Sequence, residues 1–290
     1  MLRTLKVLSE ELGLGKAGVT MQGLSAGASR TQSLVDLDDA ALCCNSVSKG
    51  EVFKLPPNLK AIVTDFPQEH LDPAINVEGM LGMELLEQFD VDFDFPKGRL
   101  RLYRPGTVGS VAERDGLAKV EAVVVNETRL LGIRVVPASA PRDGDAISSQ
   151  PFLGVLDCGS SFTVVNSVAA PLLGLPPLND PSYKNAPQVA GMGVDGRSIA
   201  MPTANVRLSY VGNPVQDKTQ RLAFEAPPSS WKPWDGVLLA VGDLPIFSNL
   251  LGDGKFPYQG PAGIIGLDIL SQRRLILETS SGRQRKIYVG

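Results

Sequence analysis

A chain of 290 residues is long enough for about two compact units at ~150 residues each, or for one long β-domain. Lys and Arg number 28 against 31 Asp and Glu, so the net charge of −3 leaves no basic excess for a phosphate backbone, and nucleic acid is not an expected partner. Hydrophobic residues make up 43%, enough for a core, while one histidine (His70) and three cysteines (Cys43, Cys44 and Cys158) cannot assemble a zinc site or a disulfide framework.

Read in chain order, the 30 glycines and 22 prolines predict many turns and short strands rather than long helices. Residues 1–15 lack the continuous apolar region of a secretory signal, and no run approaches the ~18 apolar residues of a membrane span. The cysteines read as small buried residues of a reducing compartment. V-L-S-E-E-L-G-L (7–14) predicts a short helix stopped by Gly13, and M-Q-G-L-S-A-G-A-S (21–29) a glycine-rich hairpin. G-M-L-G-M-E-L-L (79–86) leads into F-D-V-D-F-D-F-P-K-G-R-L-R-L-Y (89–103), a β-hairpin turning at Lys97-Gly98. Residues 105–118 have linker composition. V-E-A-V-V-V-N-E-T-R-L-L-G-I-R-V-V (120–136) holds two β-branched runs around an Asn126-Glu127 turn. F-L-G-V-L-D-C-G-S-S-F-T-V-V (152–165) is a strand running into a tight turn with a carboxylate at its tip. The remainder echoes the first part: a helix stopped by Gly174 (168–175), a glycine-rich hairpin (189–198), G-I-I-G-L-D-I-L (263–270), and a closing hairpin (273–289) with a Ser281-Gly282 turn.

These landmarks recur in the same order, so duplication is the economical reading. The expected architecture is all-β with two similar lobes and few short helices: an N-terminal lobe over 1–104, a linker over 105–118 and a C-terminal lobe over 119–290. The second lobe carries an extra Pro- and Gly-rich stretch near 212–258. Its Trp231 and Trp234 read either as partner anchors or as the loop's own small core.

Asp157-Cys158-Gly159-Ser160-Ser161 is the only D-x-G in the chain, and it follows an apolar strand. With G-I-I-G-L-D-I-L downstream, it resembles the active-site element of two-lobed, retropepsin-like aspartic proteases, in which D-[TS]-G is followed later by two apolar residues and a glycine. The resemblance covers most of the chain. It implies an aspartic endopeptidase that binds an extended peptide or protein substrate in an interlobe cleft, with no metal or organic cofactor. Two close carboxylates cannot both ionise, so they share a proton and can activate water and protonate the product. By this resemblance Asp157 is the catalytic carboxylate and Gly159 permits the tight loop. Cys158 stands where the family has Thr or Ser, and Ser160 is placed to orient the carboxylate. Gly191, Met192 and Gly193 correspond to the flap, and Gly82 and Gly266 to glycines packing beneath the active-site loops. The first-lobe hairpin at 23–29 lacks the Tyr or Trp of pepsin-type flaps.

The register set by Gly13 and Gly174 places the counterpart of Asp157 at position −4, upstream of Met1, and that of the strand run 120–136 at about −41 to −25. Three readings follow. The chain is a shortened form of an active enzyme, or it lacks the intramolecular dyad and serves as a binding or structural subunit, or a homodimer pairs two Asp157 loops.

Other motifs read as structural. Gly23-Leu24-Ser25-Ala26-Gly27 matches a serine-hydrolase elbow, but the only histidine, His70, follows too soon for that fold. Gly191 to Gly196 matches G-x-G-x-x-G without a βαβ unit, and Asp195-Gly196 reads as a hairpin tip. Glu84 and Asp268 read as caps of the short helices that follow each glycine.

Overall fold

The computed structural model describes residues 18–21, 30–37, 40–43, 52–55, 59–63, 81–125, 130–192, 198–279 and 285–290. The Gly13 helix, the body of the 21–29 hairpin, Cys44, His70, the Asn126-Glu127 turn, Gly193, the Asp195-Gly196 tip and the Ser281-Gly282 turn lie outside these residues, as does the side chain of Glu84. The fold is all-β. The described residues up to Leu85, with Met192, form one compact unit, and those from Leu86 to Gly191 and from Ser198 to Gly290 form the other.

The first unit contains β1 (Gly18–Met21), β2 (Arg30–Asp36), β3 (Ala41–Cys43), β4 (Val52–Lys54) and β5 (Lys60–Val63). An antiparallel sheet runs β1-β2-β5, with Val35 buried on it, and β3 pairs with β4 as a separate ladder. The short helix α1 (Met83–Leu86) follows Gly82, whose carbonyl accepts the Leu85 N–H at 3.2 Å.

The second unit opens with the expected hairpin, β6 (Asp90–Asp94) and β7 (Arg99–Tyr103), closed at Lys97-Gly98. Residues 105–118, expected as a linker, instead hold helix α2 (Gly109–Arg114) and the first residue of β8 (Ala118–Glu121). Val108 and Ala112 are fully buried and bind this segment to the sheet below, which composition alone did not reveal. Then come β9 (Val123–Val124), β10 (Leu131–Pro137), β11 (Arg142–Asp143), β12 (Ala146–Ile147), β13 (Phe152–Leu156) and β14 (Val164–Val165). The helix expected at 168–175 is a 3-10 turn, Ala170–Leu173, with Pro171 in its first turn, and it stops at Gly174 with φ 72°. Beyond it lie β15 (Gln188–Met192), β16 (Ser198–Val211), β17 (Pro214–Gln216), β18 (Leu222–Glu225), β19 (Trp234–Val241), α3 (Ile246–Leu251), β20 (Ala262–Ile265), α4 (Leu267–Leu270), β21 (Arg274–Glu278) and β22 (Lys286–Val289).

Six of these strands close on themselves in the order β16-β19-β14-β20-β13-β10 because β10 also pairs with β16. Alternate residues of the barrel strands, Ile133 and Val135, Leu208 and Tyr210, Val237, Leu239 and Val241, join one buried cluster, as a period of two dictates for inward-facing side chains. The opposite face of β10 and β16 presents Val136 and Val211. These pack with Ile147 and Phe224 of the small sheet β11-β12-β18-β17. The stretch at 212–258 is therefore not simply an insertion, because β19 is a barrel stave and β17 and β18 cover the barrel's outer wall.

A five-stranded sheet, β7-β6-β21-β22-β8, brings the two closing hairpins of the repeat together. Asp92 pairs with Ile276, 184 residues further on, the same separation that relates Gly82 to Gly266. Asp92 and Ile276, at equivalent positions of the two hairpins, are thus antiparallel partners. It follows that β6 and β7, assigned by sequence to the lobe 1–104, are integral to the second unit. Leu275, Ile287 and Val289 turn one face of this sheet to the barrel's apolar cluster, while Ile276 and Tyr288 on the other face pack against α2.

Candidate active site

β13 and β20 run parallel, Leu153 beside Ala262 through Leu156 beside Ile265, so Asp157 and Gly266 leave the ladder at the same end of adjacent strands. The Asp157 N–H extends the ladder by donating to the Ile265 carbonyl at 3.0 Å. The chain then turns sharply: the Ser160 N–H donates to the Asp157 carbonyl at 3.2 Å, and the Gly159 N–H donates to Asp157 Oδ1 at 2.9 Å. The carboxylate is half-buried, and its Oδ2 accepts no hydrogen bond from a described residue. One oxygen is thus held by the loop while the other is open to water or a ligand.

The floor beneath this loop is Gly266. A Cβ there would stand 2.6 Å from both the carbonyl carbon and the oxygen of Phe162, a distance that no side chain tolerates against backbone. Contact that close lets the loop and the strand exchange hydrogen bonds: the Leu267 and Asp268 N–H groups donate to the Ser160 and Ser161 carbonyls at 2.8 and 3.3 Å. Thr163, fully buried, ties the same elements sideways. Its hydroxyl donates to Asp268 Oδ1 at 2.7 Å and accepts the Gly266 N–H at 3.1 Å.

Asp268 sits in the first turn of α4, where Oδ1 also accepts the Ile269 N–H at 3.0 Å. The capping role is therefore partial, since Gly266 occupies the N-cap and the carboxylate mainly grips Thr163. Its Oδ2 is buried without a partner, and burial pushes the carboxyl above the usual aspartate range.

Two expectations for the loop are corrected. The Ser160 hydroxyl does not reach the carboxylate; it donates to the Phe162 carbonyl at 2.8 Å and so stiffens the turn that presents Asp157. Cys158 is exposed rather than a buried small residue, because it occupies the outer position of the turn. Desolvation of its thiol and the adjacent Asp157 charge both push its pKa up, which keeps the sulfur protonated near neutrality.

Gly191 and Met192 end β15, and Gly193 lies beyond the described residues. Trp231 and Trp234 do not form a free anchor. Trp234 is 3% exposed, and Trp231 stacks edge-on against both Tyr210 and Trp234, with the Arg273 guanidinium 4.2 Å above its ring. Arg273 is itself pinned by the carbonyls of Lys232, Pro233 and Gly290. Trp234 belongs to the barrel's core, and Trp231 packs against it.

Sequence reasoning passed over Thr163 and Asn166. Asn166 is 2% exposed and satisfies three backbone groups, accepting from Ala169 and Ala262 and donating to the Gly260 carbonyl at 2.7 Å. It locks the end of β14 to the start of β20. The available signal was a lone polar residue closing the apolar pair Val164-Val165. Among the described residues, no group of three or more His, Cys, Asp or Glu side chains is placed to hold a metal ion. Compared with known proteins, the sequence matches no family model and no curated sequence.

Proposed function

We propose that the chain is an aspartic-type endopeptidase, with Asp157 as one carboxylate of a proton-sharing pair. The observation that carries this reading is the presentation of Asp157: one oxygen fixed by the Gly159 N–H, the other open, on a loop braced from below by Gly266. In this scheme the ionised carboxylate takes a proton from water as its oxygen attacks the scissile carbonyl. The protonated carboxyl of the pair then supplies the proton that leaves with the amine. The substrate is a peptide bound in extended form. The second carboxylate must come from outside the described residues, since no carboxyl group among them hydrogen-bonds Asp157.

That last point favours a second reading, a protease-like domain that binds peptides or a protein partner without cleaving them. Peptide-library cleavage between about pH 4 and 7, where a shared-proton pair is competent, separates the two. Cleavage blocked by a pepstatin-type inhibitor and lost in Asp157→Asn is expected. A specific rate that rises with chain concentration assigns the second carboxylate to another copy. Cleavage that persists in Asp157→Asn overturns the enzyme reading. Silence at every pH, from this chain and from any upstream-extended form, moves the assignment to binding.

A further inference from the structure

We infer that the outer wall of the barrel carries a binding site for a small amphipathic carboxylate, separate from the Asp157 loop. A surface-open groove of about 490 Å³ lies where the small sheet β11-β12-β18-β17 meets β10 and β13. This is within the size range of small-molecule sites. Its walls are apolar, with Leu153, Phe224 and Leu222 among them, and Leu222 leaves 67% of its surface in water. Ser148 and Gln150 add neutral polar groups at the exposed edge.

Among the described residues, the only charged side chain in the lining is Arg134. It projects from the outer face of β10, between Leu153 on β13 and Val211 on β16. Arg134 is half-buried, yet no described carboxylate pairs with it. Its one hydrogen bond among the described residues is a long one, from Nη1 to the Gly212 carbonyl at 3.4 Å. A partly desolvated guanidinium with free donors in an apolar groove is matched by an anion that brings an apolar body, and its planar fork suits a carboxylate best. The other well-buried charges of this unit show the contrast: Arg274 is engaged by both Asp92 and Asp115. The groove touches the N-terminal ends of β13 and β20, through Leu153 and Pro261, whereas Asp157 follows the opposite end of β13, about 13 Å away at ~3.3 Å per residue. Occupation of the groove therefore does not require the hydrolase reading.

The test is calorimetric titration of the whole chain with octanoate and with octanol, its neutral counterpart. Octanoate is expected to bind at least about tenfold more tightly than octanol, the worth of one charge-assisted hydrogen-bonded pair. Arg134→Gln is expected to remove that advantage while leaving octanol binding unchanged. Leu222→Glu, at an exposed rim position where the fold tolerates charge, is expected to weaken octanoate about tenfold by supplying a competing carboxylate. Unchanged thermal unfolding of both variants keeps the readout on binding. Octanoate that fails to bind, or that binds both variants as it binds the parent chain, overturns the assignment. Binding of a peptide with a free C-terminal leucine carboxylate in place of octanoate also overturns it, giving the groove to a chain terminus.

Discussion

Two groups of aspartates in the second unit have opposite surroundings. On β6, Asp90, Asp92 and Asp94 are essentially fully buried, and each is engaged. Asp92 is gripped bidentately by Arg274 at 2.8 Å and also by Arg101 at 2.9 Å. Asp90 accepts the N–H groups of Thr107, Val108 and Thr279, tying the start of α2 to β21. Asp94 receives Arg101 and, more loosely, Lys97. Asp157, by contrast, is half-exposed and accepts one backbone hydrogen bond on one oxygen. Each of the first group is buried and held by arginines or backbone N–H groups, which makes these aspartates structural. The second retains an open oxygen beside solvent, which a base that activates water requires. Asp268 lies between the two: buried like the first group, but with one oxygen unpartnered.

The contrast can be broken or sharpened by substitution. Asp157→Asn is expected to lower peptide cleavage by about 10²–10⁴-fold, the usual worth of a general acid–base group, while the melting temperature stays put. A large loss of stability there would place Asp157 with the structural aspartates. Asp92→Ala is expected to do the reverse. Removing the buried centre of this ion network leaves Arg274 with Asp115 alone and Arg101 with the longer Asp94 contact, and costs about 3–5 kcal/mol, read as a lowered urea midpoint.

Gly266→Ala tests whether the loop depends on its floor. The new methyl meets immovable backbone at 2.6 Å, so a stability loss of about 1–3 kcal/mol is expected, with cleavage falling further than stability alone explains.

The smallest effects concern pH, and two aspartates are expected to respond with opposite signs. Burial raises the Asp268 carboxyl, so its contribution to stability is fully present below the ordinary value of 3.8 and declines as pH rises above it. Asp115, paired with Arg114 and Arg274, is held down to about 2, so its contribution is present above 3.8 and disappears as pH falls towards 2. Urea stability measured from pH 2 to 7 should lose its high-pH decline in Asp268→Asn and its low-pH decline in Asp115→Asn.

Much of this was legible in the sequence where the signal is local. The D-C-G-S turn after an apolar strand, the hairpin at Lys97-Gly98 and the helix stop at Gly174 each depend on neighbouring residues, and each is found where expected. The recurrence of G-φ-φ-G also pointed to Gly266, whose close contact with Phe162 shows why no other residue serves there. Illegible were the partnerships made across the chain. The alternation in D-V-D-F-D marks a strand, but nothing near it says that its polar face will be covered by Arg274, 182 residues later. Likewise Thr163 reads as an ordinary strand residue until Asp268 arrives from 105 residues away. Trp231 and Trp234 read equally as partner anchors or as a small core of their own loop, and only the closure of the barrel brings Tyr210 against Trp231 and Arg273 over both rings. The segment 105–118 was misread as a linker because small residues serve equally well in a flexible stretch and in a helix packed tightly on a sheet.

The pairing of β6 with β21 also sets a timetable for a chain leaving the ribosome. Synthesis at about 5–20 residues per second means that Asp92 waits about 10–40 seconds before Arg274, 182 residues behind it, is even made. During that interval three aspartates lie in water beside an apolar strand that has no neighbour on one edge, and the parallel partner of β13 does not yet exist. The loop bearing Asp157 therefore acquires its floor only once Gly266, about a hundred residues behind it, has been made. Until then a nascent chain carries the Asp157 carboxylate on a loop that lacks the backbone contacts made by Gly266, Leu267 and Asp268.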